Sequence, residues 1–158
     1  MTALTGHGLQ ADLPAGWSGE LYGRPPIQEA GPRLRPPPVV APAVLHAASF
    51  VLPAQRGDFG GGAVELMGAT DGFVVLFEYE PEAATKALFA ARGVPGPLGP
   101  YDFGSQALQR RQGSQTGCQR FFNFQGRAFC LYVVLGSPAH ARAALAPINA
   151  LLRSVQVS

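Results

Sequence analysis

The sequence predicts an α+β domain in which an antiparallel sheet is flanked by two main helices. Short apolar segments separated by Gly- and Pro-containing turns are typical of antiparallel strands. Two longer segments repeat apolar residues at helical spacing. The length of 158 residues and the apolar fraction of 47% suit a chain that buries one core. We therefore predict a single domain over residues 1–158.

The first half of the chain predicts a series of strands. Leu9, Ala11 and Leu13 alternate with polar residues, which indicates a strand at 8–13. A second strand at 18–24 follows the Pro-Ala-Gly turn, and Trp17 between them is expected to cover the core. Three more strands are predicted at 43–52, 63–67 and 73–79. The turn 69–72 predicts that the last two form a hairpin.

Seven prolines interrupt this series between residues 25 and 42. Proline fixes φ and has no N–H to donate, so this segment is excluded from a helix and from a central strand. We predict a Pro-rich connector in extended polyproline geometry. The alternative interpretation is a peptide that docks onto a partner.

A first helix is predicted to begin at Glu80–Pro81 and to end at Gly93, because proline suits the first helical position and glycine the end. Glu78, Glu80 and Glu82 near its start are explained by the positive end of the helix dipole. A short helical turn is expected at 105–111.

The clearest strand pattern is a hairpin, with strands at 119–124 and 127–135 joined by Gln125–Gly126. Because both faces of 128–135 are apolar, this strand is predicted to lie inside the sheet. A last helix begins after Ser137–Pro138, includes Pro147 and is followed by a tail strand at 154–157. Its apolar stripe consists of Ala141, Leu145, Ile148 and Leu152.

Charge is sparse and unevenly distributed along the chain. Charged residues make up 14% of the sequence, against about 25% in typical globular proteins. Residues 1–102 carry six basic and ten acidic side chains, whereas residues 103–158 carry six arginines and no acid. The low charge density indicates either an unusually apolar surface or a surface that is partly covered by a partner, and abundant Ala and Gly also dilute the charge. The net charge of +2 does not indicate nucleic acid as that partner.

The side chains that carry chemistry do not form a recognisable motif. His7, His46 and His140 are far apart and lack the spacing of zinc ligands, and His46 is expected to be a packed or a surface residue of a strand. With a two-residue turn, Cys118 faces Val133 and Cys130 faces Phe121, so no disulfide is expected between them. We predict no catalytic residue, no metal and no cofactor. A histidine, a carboxylate and a hydroxyl brought within bonding reach in one cavity would overturn that prediction.

Four arginines around the predicted hairpin are candidate binding residues for an anion or a partner. They are Arg110, Arg111, Arg120 and Arg127. If they converge on a concave surface, the chain would bind an anion or small molecule there, or would be an enzyme of unrecognised type.

Two segments resemble the PsbP-like α/β/α sandwich superfamily. They are LPAGW at Leu13–Trp17 and FFNFQGRAFCLYVVLGS at Phe121–Ser137. The resemblance implies an α/β/α sandwich that docks onto other proteins, as a small bacterial member of unknown function. It transfers no site residues, and the Pro-rich segment has no counterpart in it.

These observations together predict a non-enzymatic adaptor, chaperone-like or accessory protein. Its expected partner is another protein or a second copy of the chain. No membrane span and no signal peptide are predicted, because no apolar run reaches about 18 residues and the N-terminus lacks a basic start. With two cysteines and no disulfide framework, the cytoplasm is the expected location.

Overall fold

The computed structural model describes residues 2–24 and 41–157, which form two antiparallel sheets and one α-helix. The five-stranded sheet has the order β3-β4-β5-β7-β6, and the three-stranded sheet has the order β1-β2-β8. The strands are β1 Thr2–Gly6, β2 Leu9–Leu13, β3 Ser18–Gly23, β4 Ala43–Ala48, β5 Gly72–Glu78, β6 Thr116–Phe124, β7 Arg127–Leu135 and β8 Gln156–Val157. The helix α1 comprises Ala141–Ser154.

The predicted fold class, an α/β/α sandwich with two main flanking helices, is wrong. The segment expected to form the first helix makes two separate 3-10 turns, Pro81–Thr85 and Ala87–Phe89. Lys86 lies between them with an extended backbone (φ −78°, ψ 150°), which ends the first turn before a second helical turn can add to it. A helix of this length is marginal in water, so the packing of Ala83 and Phe89 against Ala128 decides the backbone.

The predicted strand at 63–67 is also wrong, and so is the hairpin it was to form with β5. Residues Val64–Leu66 form a 3-10 turn. Gly60 and Gly62 have φ of +93° and +95°, and the Ala63 amide donates to the Gly60 carbonyl. These local bonds satisfy the backbone groups that a strand would have offered to the sheet. Most of the predicted Pro-rich connector, residues 25–40, lies outside the described residues.

The hairpin of β6 and β7 is confirmed. Gln125 and Gly126 both have positive φ, 53° and 78°, as a two-residue type I′ turn requires. The register pairs Cys118 with Val133 and Phe121 with Cys130, as predicted. β7 lies between β5 and β6, and residues 128–135 are buried on both faces.

The two faces of the five-stranded sheet are covered by different kinds of structure. One face packs against α1, whose predicted stripe of Ala141, Leu145, Ile148 and Leu152 is buried there. The strand β2 packs on the same side, and β8 joins it at the pair Leu9–Val157. The opposite face is covered by loops, with Phe50, Phe59 and Leu108 packed on it. This loop-covered face is where the polar side chains of the loops meet the sheet.

No helix in residues 2–24 and 41–157 is both long and apolar enough to span a membrane.

We expect Gly136→Ala to destabilise the protein by about 3 kcal/mol, because it forces overpacking against the backbone. A Cβ atom at Gly136 would lie far inside contact distance of the Gly68 carbonyl oxygen and 2.9 Å from the Ala69 carbonyl carbon. Equilibrium denaturation in urea measures the change in the free energy of unfolding. The control is Gly61→Ala, since that Cβ has no atom within 4 Å. Equal effects of the two substitutions would contradict the packing of this turn.

Candidate functional site

The structure separates the four candidate arginines. Arg110 and Arg111 are exposed in the loop that follows the 3-10 turn Ser105–Ala107. Arg120 lies on the edge strand β6 opposite Leu131, and Arg127 lies opposite Phe124. Those two positions are four residues apart in the register, or about 13 Å along the strand. The side chains of Arg120 and Arg127 both contact carboxylates of this chain.

Arg127 forms a bidentate pair with Glu78. Its Nε lies 2.6 Å from Glu78 Oε2, and its Nη2 lies 2.7 Å from Glu78 Oε1. The same guanidinium donates to the backbone carbonyls of His7 and Gly8, at 2.8 and 2.9 Å. It also lies over the Phe129 ring, 5.6 Å from the centroid. Arg127 therefore fastens the turn between β1 and β2 to the five-stranded sheet, and its donors are used inside the fold.

Arg24 extends the same network on the other side of Glu78. Its Nε donates to the Glu78 backbone carbonyl at 3.0 Å, and its Nη2 pairs with Glu80 at 2.8 Å. The Ala43 amide donates to Glu78 Oε1 at 2.8 Å. Only 5% of Arg24 and 8% of Glu78 is exposed, so little of either charge is solvated. Arg24 is compensated by its ion pair with Glu80, and Glu78 by its ion pair with Arg127.

The prediction that Glu78, Glu80 and Glu82 lie at the start of a main helix and serve its dipole is wrong, because only a 3-10 turn, Pro81–Thr85, begins there. Glu78 shares a strand face with Val74 and Leu76, both buried. Residues at i, i+2 and i+4 of a strand point to one face. In the sequence, Glu78 follows Val74 and Leu76 on the apolar face of a predicted strand. This position was the signal that could have identified Glu78 as a buried, ion-paired carboxylate.

Arg120 has a weaker and more open contact. Its Nη2 lies 3.3 Å from Asp102 Oδ1, and 43% of its side chain is exposed. An exposed pair of this kind contributes little to stability. Arg110 and Arg111 are exposed on a separate loop. None of the four arginines lines the groove at 84–126 or the one beside 94–97, so neither of these two concave surfaces brings them together.

His46 lies at the centre of a second polar cluster, on the loop-covered face. We define the His46 cluster as Tyr22, His46, Arg56 and Asp58. His46 is fully buried in β4, so it is the packed and not the surface residue of the two alternatives that the sequence left open. Arg56 Nε lies 2.7 Å from His46 Nδ1, and His46 Nε2 lies 2.7 Å from the Asp58 backbone oxygen. The Tyr22 hydroxyl donates to Asp58 Oδ1 at 2.6 Å.

This cluster places a histidine, a carboxylate and a hydroxyl near one another, which is the arrangement that would have contradicted a non-enzymatic function. The hydrogen bonds distinguish it from a catalytic set. The Asp58 carboxylate accepts a hydrogen bond from Tyr22, whereas the contact between His46 and Asp58 is to the backbone oxygen of Asp58. Both imidazole nitrogens have protein partners, so neither is available to take a proton from a substrate. Burial also raises the pKa of Tyr22, which keeps its hydroxyl protonated.

An open groove of about 610 Å³ lies at the turn end of the β6–β7 hairpin. Arg92 contributes its only ionisable side chain, and Thr85, Asn123 and Gln125 contribute polar groups. The Asn123 amide nitrogen is 3.3 Å from the Ala91 carbonyl and also donates to the Phe89 carbonyl, so its donors serve the local backbone. This lining provides no nucleophile paired with a base.

The two cysteines are buried and free, on opposite faces of the hairpin. Cys118 belongs to the core beneath α1, while Cys130 accepts a contact from Gln119 at 3.6 Å. Desolvation by burial raises the pKa of both thiols, that of Cys130 to about 11. Across the described ranges, no three His, Cys, Asp or Glu side chains are grouped to hold a metal ion.

Comparison with protein-family models, curated proteins and solved structures found no match to this chain. The resemblance to the PsbP-like superfamily stays a prediction, and the site has to be interpreted from its own residues.

We predict that Arg127→Gln lowers the free energy of unfolding by about 3 kcal/mol, since it leaves Glu78 buried without its charged partner. Chemical denaturation monitored by tryptophan fluorescence measures the loss. The matched control is Arg120→Gln, for which we expect a change below about 1 kcal/mol because that pair is exposed. If the two variants lose the same stability, the buried pair does not have the role assigned to it.

We also expect both thiols to be unreactive toward a disulfide reagent in the folded protein at pH 8. Burial blocks access, and a raised pKa keeps them in the poorly nucleophilic thiol form. The assay counts thiols with and without denaturant. Two equivalents should appear only after unfolding, and rapid labelling of the native chain would disprove the burial of these side chains.

Proposed function

We propose that this chain is a non-enzymatic protein-binding module, an adaptor, chaperone-like or accessory protein of the bacterial cytoplasm. The observation that carries the proposal is a set of large apolar side chains exposed on its loops. These are Val51 (83% exposed), Leu66 (60%), Leu88 (59%) and Tyr101 (89%). Aromatic side chains are enriched in protein interfaces, whose buried centre is depleted in charged residues.

The four side chains form two groups by their place in the fold. Val51 and Leu66 extend from the loops that cover the second sheet face, where their neighbours Phe50, Leu52 and Met67 pack on the core. Leu88 and Tyr101 lie on two segments beside β6, since Phe89 contacts Phe121 and Asp102 pairs with Arg120. Because consecutive strand residues point to opposite faces, these two segments reach β6 from opposite faces of the sheet. Each group sits on a backbone fixed by its buried neighbours, which reduces the entropy lost on binding.

The polar clusters support the same proposal from the other direction. Arg127 and His46 make their hydrogen bonds to groups of this chain. A partner would therefore be bound by the exposed side chains and not by these two residues. The two free buried thiols are consistent with a reducing compartment. The alternative, an anion-binding protein that uses Arg110, Arg111, Arg120 and Arg127, has less support because two of these arginines already bind carboxylates.

The test uses the full chain as bait in a lysate of its native host, followed by purification of the recovered protein and titration against the bait. We expect either Val51→Ser/Leu66→Ser or Leu88→Ser/Tyr101→Ser to weaken this complex by about tenfold or more, as loss of anchoring side chains does. Light scattering tests in parallel whether the partner is a second copy.

The matched control is Ala143→Ser/Ala150→Ser, two exposed apolar positions on α1. It should leave the affinity unchanged. If the chain is monomeric and recovers no partner, or if neither double variant weakens the complex more than the control, the proposal is wrong.

A further inference from the structure

The loop 53–62 is attached to the five-stranded sheet through side chains. Its backbone bonds are internal, such as Gly57 N–H to the Gly61 carbonyl and Gly60 N–H to the Gly57 carbonyl. In the part of the chain that the structure describes, no backbone hydrogen bond joins this loop to a strand. The attachment includes the His46 cluster, the ion pair between Arg56 and Glu20 on β3, and the ring of Phe59, whose centroid lies 4.8 Å from that of Phe77. Loops held in this way open more easily than strands.

The two hydrogen bonds of His46 require a neutral imidazole with a defined tautomer. Arg56 Nε–H has no lone pair, so His46 Nδ1 must be the acceptor in their 2.7 Å contact. The proton of the ring therefore resides on Nε2, which donates to the Asp58 carbonyl. A second proton on Nδ1 would face the Arg56 Nε–H directly. Two donors and two positive charges would then meet in a site that excludes water.

We propose that His46 is an acid-sensitive clasp, whose protonation releases the loop 53–62 from the sheet. Protonation removes the buried acceptor of Arg56 Nε and leaves the guanidinium only the more exposed carboxylate of Glu20 on the sheet. Arg56 also binds the Pro53 carbonyl at 2.8 Å, at the start of the loop. The strand bearing His46 is held by both neighbouring strands, so the loop is the part that moves.

Three elements pack against His46, and two of them contribute charged side chains. From β3, Glu20 lies 3.5 Å from Arg56 Nη2 and Tyr22 meets the imidazole edge-on. The loop contributes Arg56 and Asp58. From β5, the neighbours Phe73 and Val75 are apolar. Burial is the largest effect and lowers the pKa of His46, and Arg56 lowers it further, whereas Asp58 and Glu20 act in the opposite direction.

The sign of the pH dependence follows from this direction. In the unfolded chain the pKa of His46 returns to its usual value of about 6.5, and opening of the loop moves the pKa in that direction because water reaches the ring. Since the closed state has a lower pKa, it binds fewer protons than the open state between the two values. Closure is therefore fully stable above about pH 6.5 and weakens as the pH falls toward the pKa of the closed state.

Opening of the loop 53–62 would expose aromatic side chains that are covered in the closed form. Phe59 covers Phe77 and meets Tyr132 at 6.0 Å, so release of the loop uncovers aromatic side chains of the sheet. Those side chains lie on the face that α1 does not cover. The clasp is thus a means of exposing apolar surface on acidification, and it does not depend on the proposed protein-binding function.

The test is hydrogen exchange measured by mass spectrometry on the full chain between pH 7.5 and pH 5, corrected for the intrinsic pH dependence of exchange. We expect exchange in residues 56–62 to increase with falling pH by up to about tenfold per pH unit, the most that one proton can link. In His46→Gln the amide replaces the Nε2 donor and does not titrate, so the exchange of this loop should be independent of pH. The control, His140→Gln, changes an exposed histidine before α1 and should behave as wild type.

If His46→Gln does not fold, the wild-type chain still decides the matter by nitrogen-15 NMR of the imidazole. Nδ1 should be unprotonated at pH 7.5, and the amide signals of residues 56–62 should change with the same midpoint as His46. The clasp is refuted if exchange in the loop does not respond to pH, if the Gln variant responds as wild type does, or if His46 titrates without any change in the loop amides.

Discussion

The arrangement of the two sheets depends on the hydrogen bonds and the ion pair made by the buried carboxylate of Glu78. It accepts hydrogen bonds from Arg127 on β7 and from the Ala43 amide at the start of β4. Through Arg127 it also holds the turn between β1 and β2, and Arg24 binds its backbone carbonyl. Hydrogen bonds require a defined distance and angle between donor and acceptor, whereas hydrophobic contacts do not. The network therefore fixes the position of the small sheet, while the apolar core supplies most of the stability.

The unequal covering of the large sheet explains where the remaining polar residues lie. A helix buries a continuous apolar stripe and satisfies its own backbone, so the face beneath α1 contains almost entirely apolar side chains. Loops cover the other face and have fewer backbone partners, so their side chains must bind to the sheet. Tyr22 and His46 project from β3 and β4 toward this layer, where they meet Arg56 and Asp58. The polar contacts of these four residues join the loop to the strands β3 and β4.

The elements predicted correctly are those whose sequence pattern agrees with their packing. The β6–β7 hairpin has a turn with one glycine, Gly126, and strands without competing local bonds, so its register followed from the turn length. The stripe on α1 likewise points to one buried face. The helix predicted at 80–93 failed because apolar spacing alone cannot distinguish a helix from two short turns packed by Phe89. At 63–67, the glycines that precede the segment allowed local bonds to replace strand pairing.

The sequence by itself determined the strands β3, β5, β6 and β7, the final helix, and the absence of any known catalytic spacing, because these depend on neighbours along the chain. Only the tertiary structure decided which charges are paired. Arg127 and Glu78 are 49 positions apart, and His46 and Arg56 belong to a strand and a loop that meet only after the sheet forms. An ion pair depends on distances in space, and charge counts along the chain contain no such distances. For that reason four arginines grouped by sequence became a buried structural pair, one exposed pair and two solvent-exposed side chains.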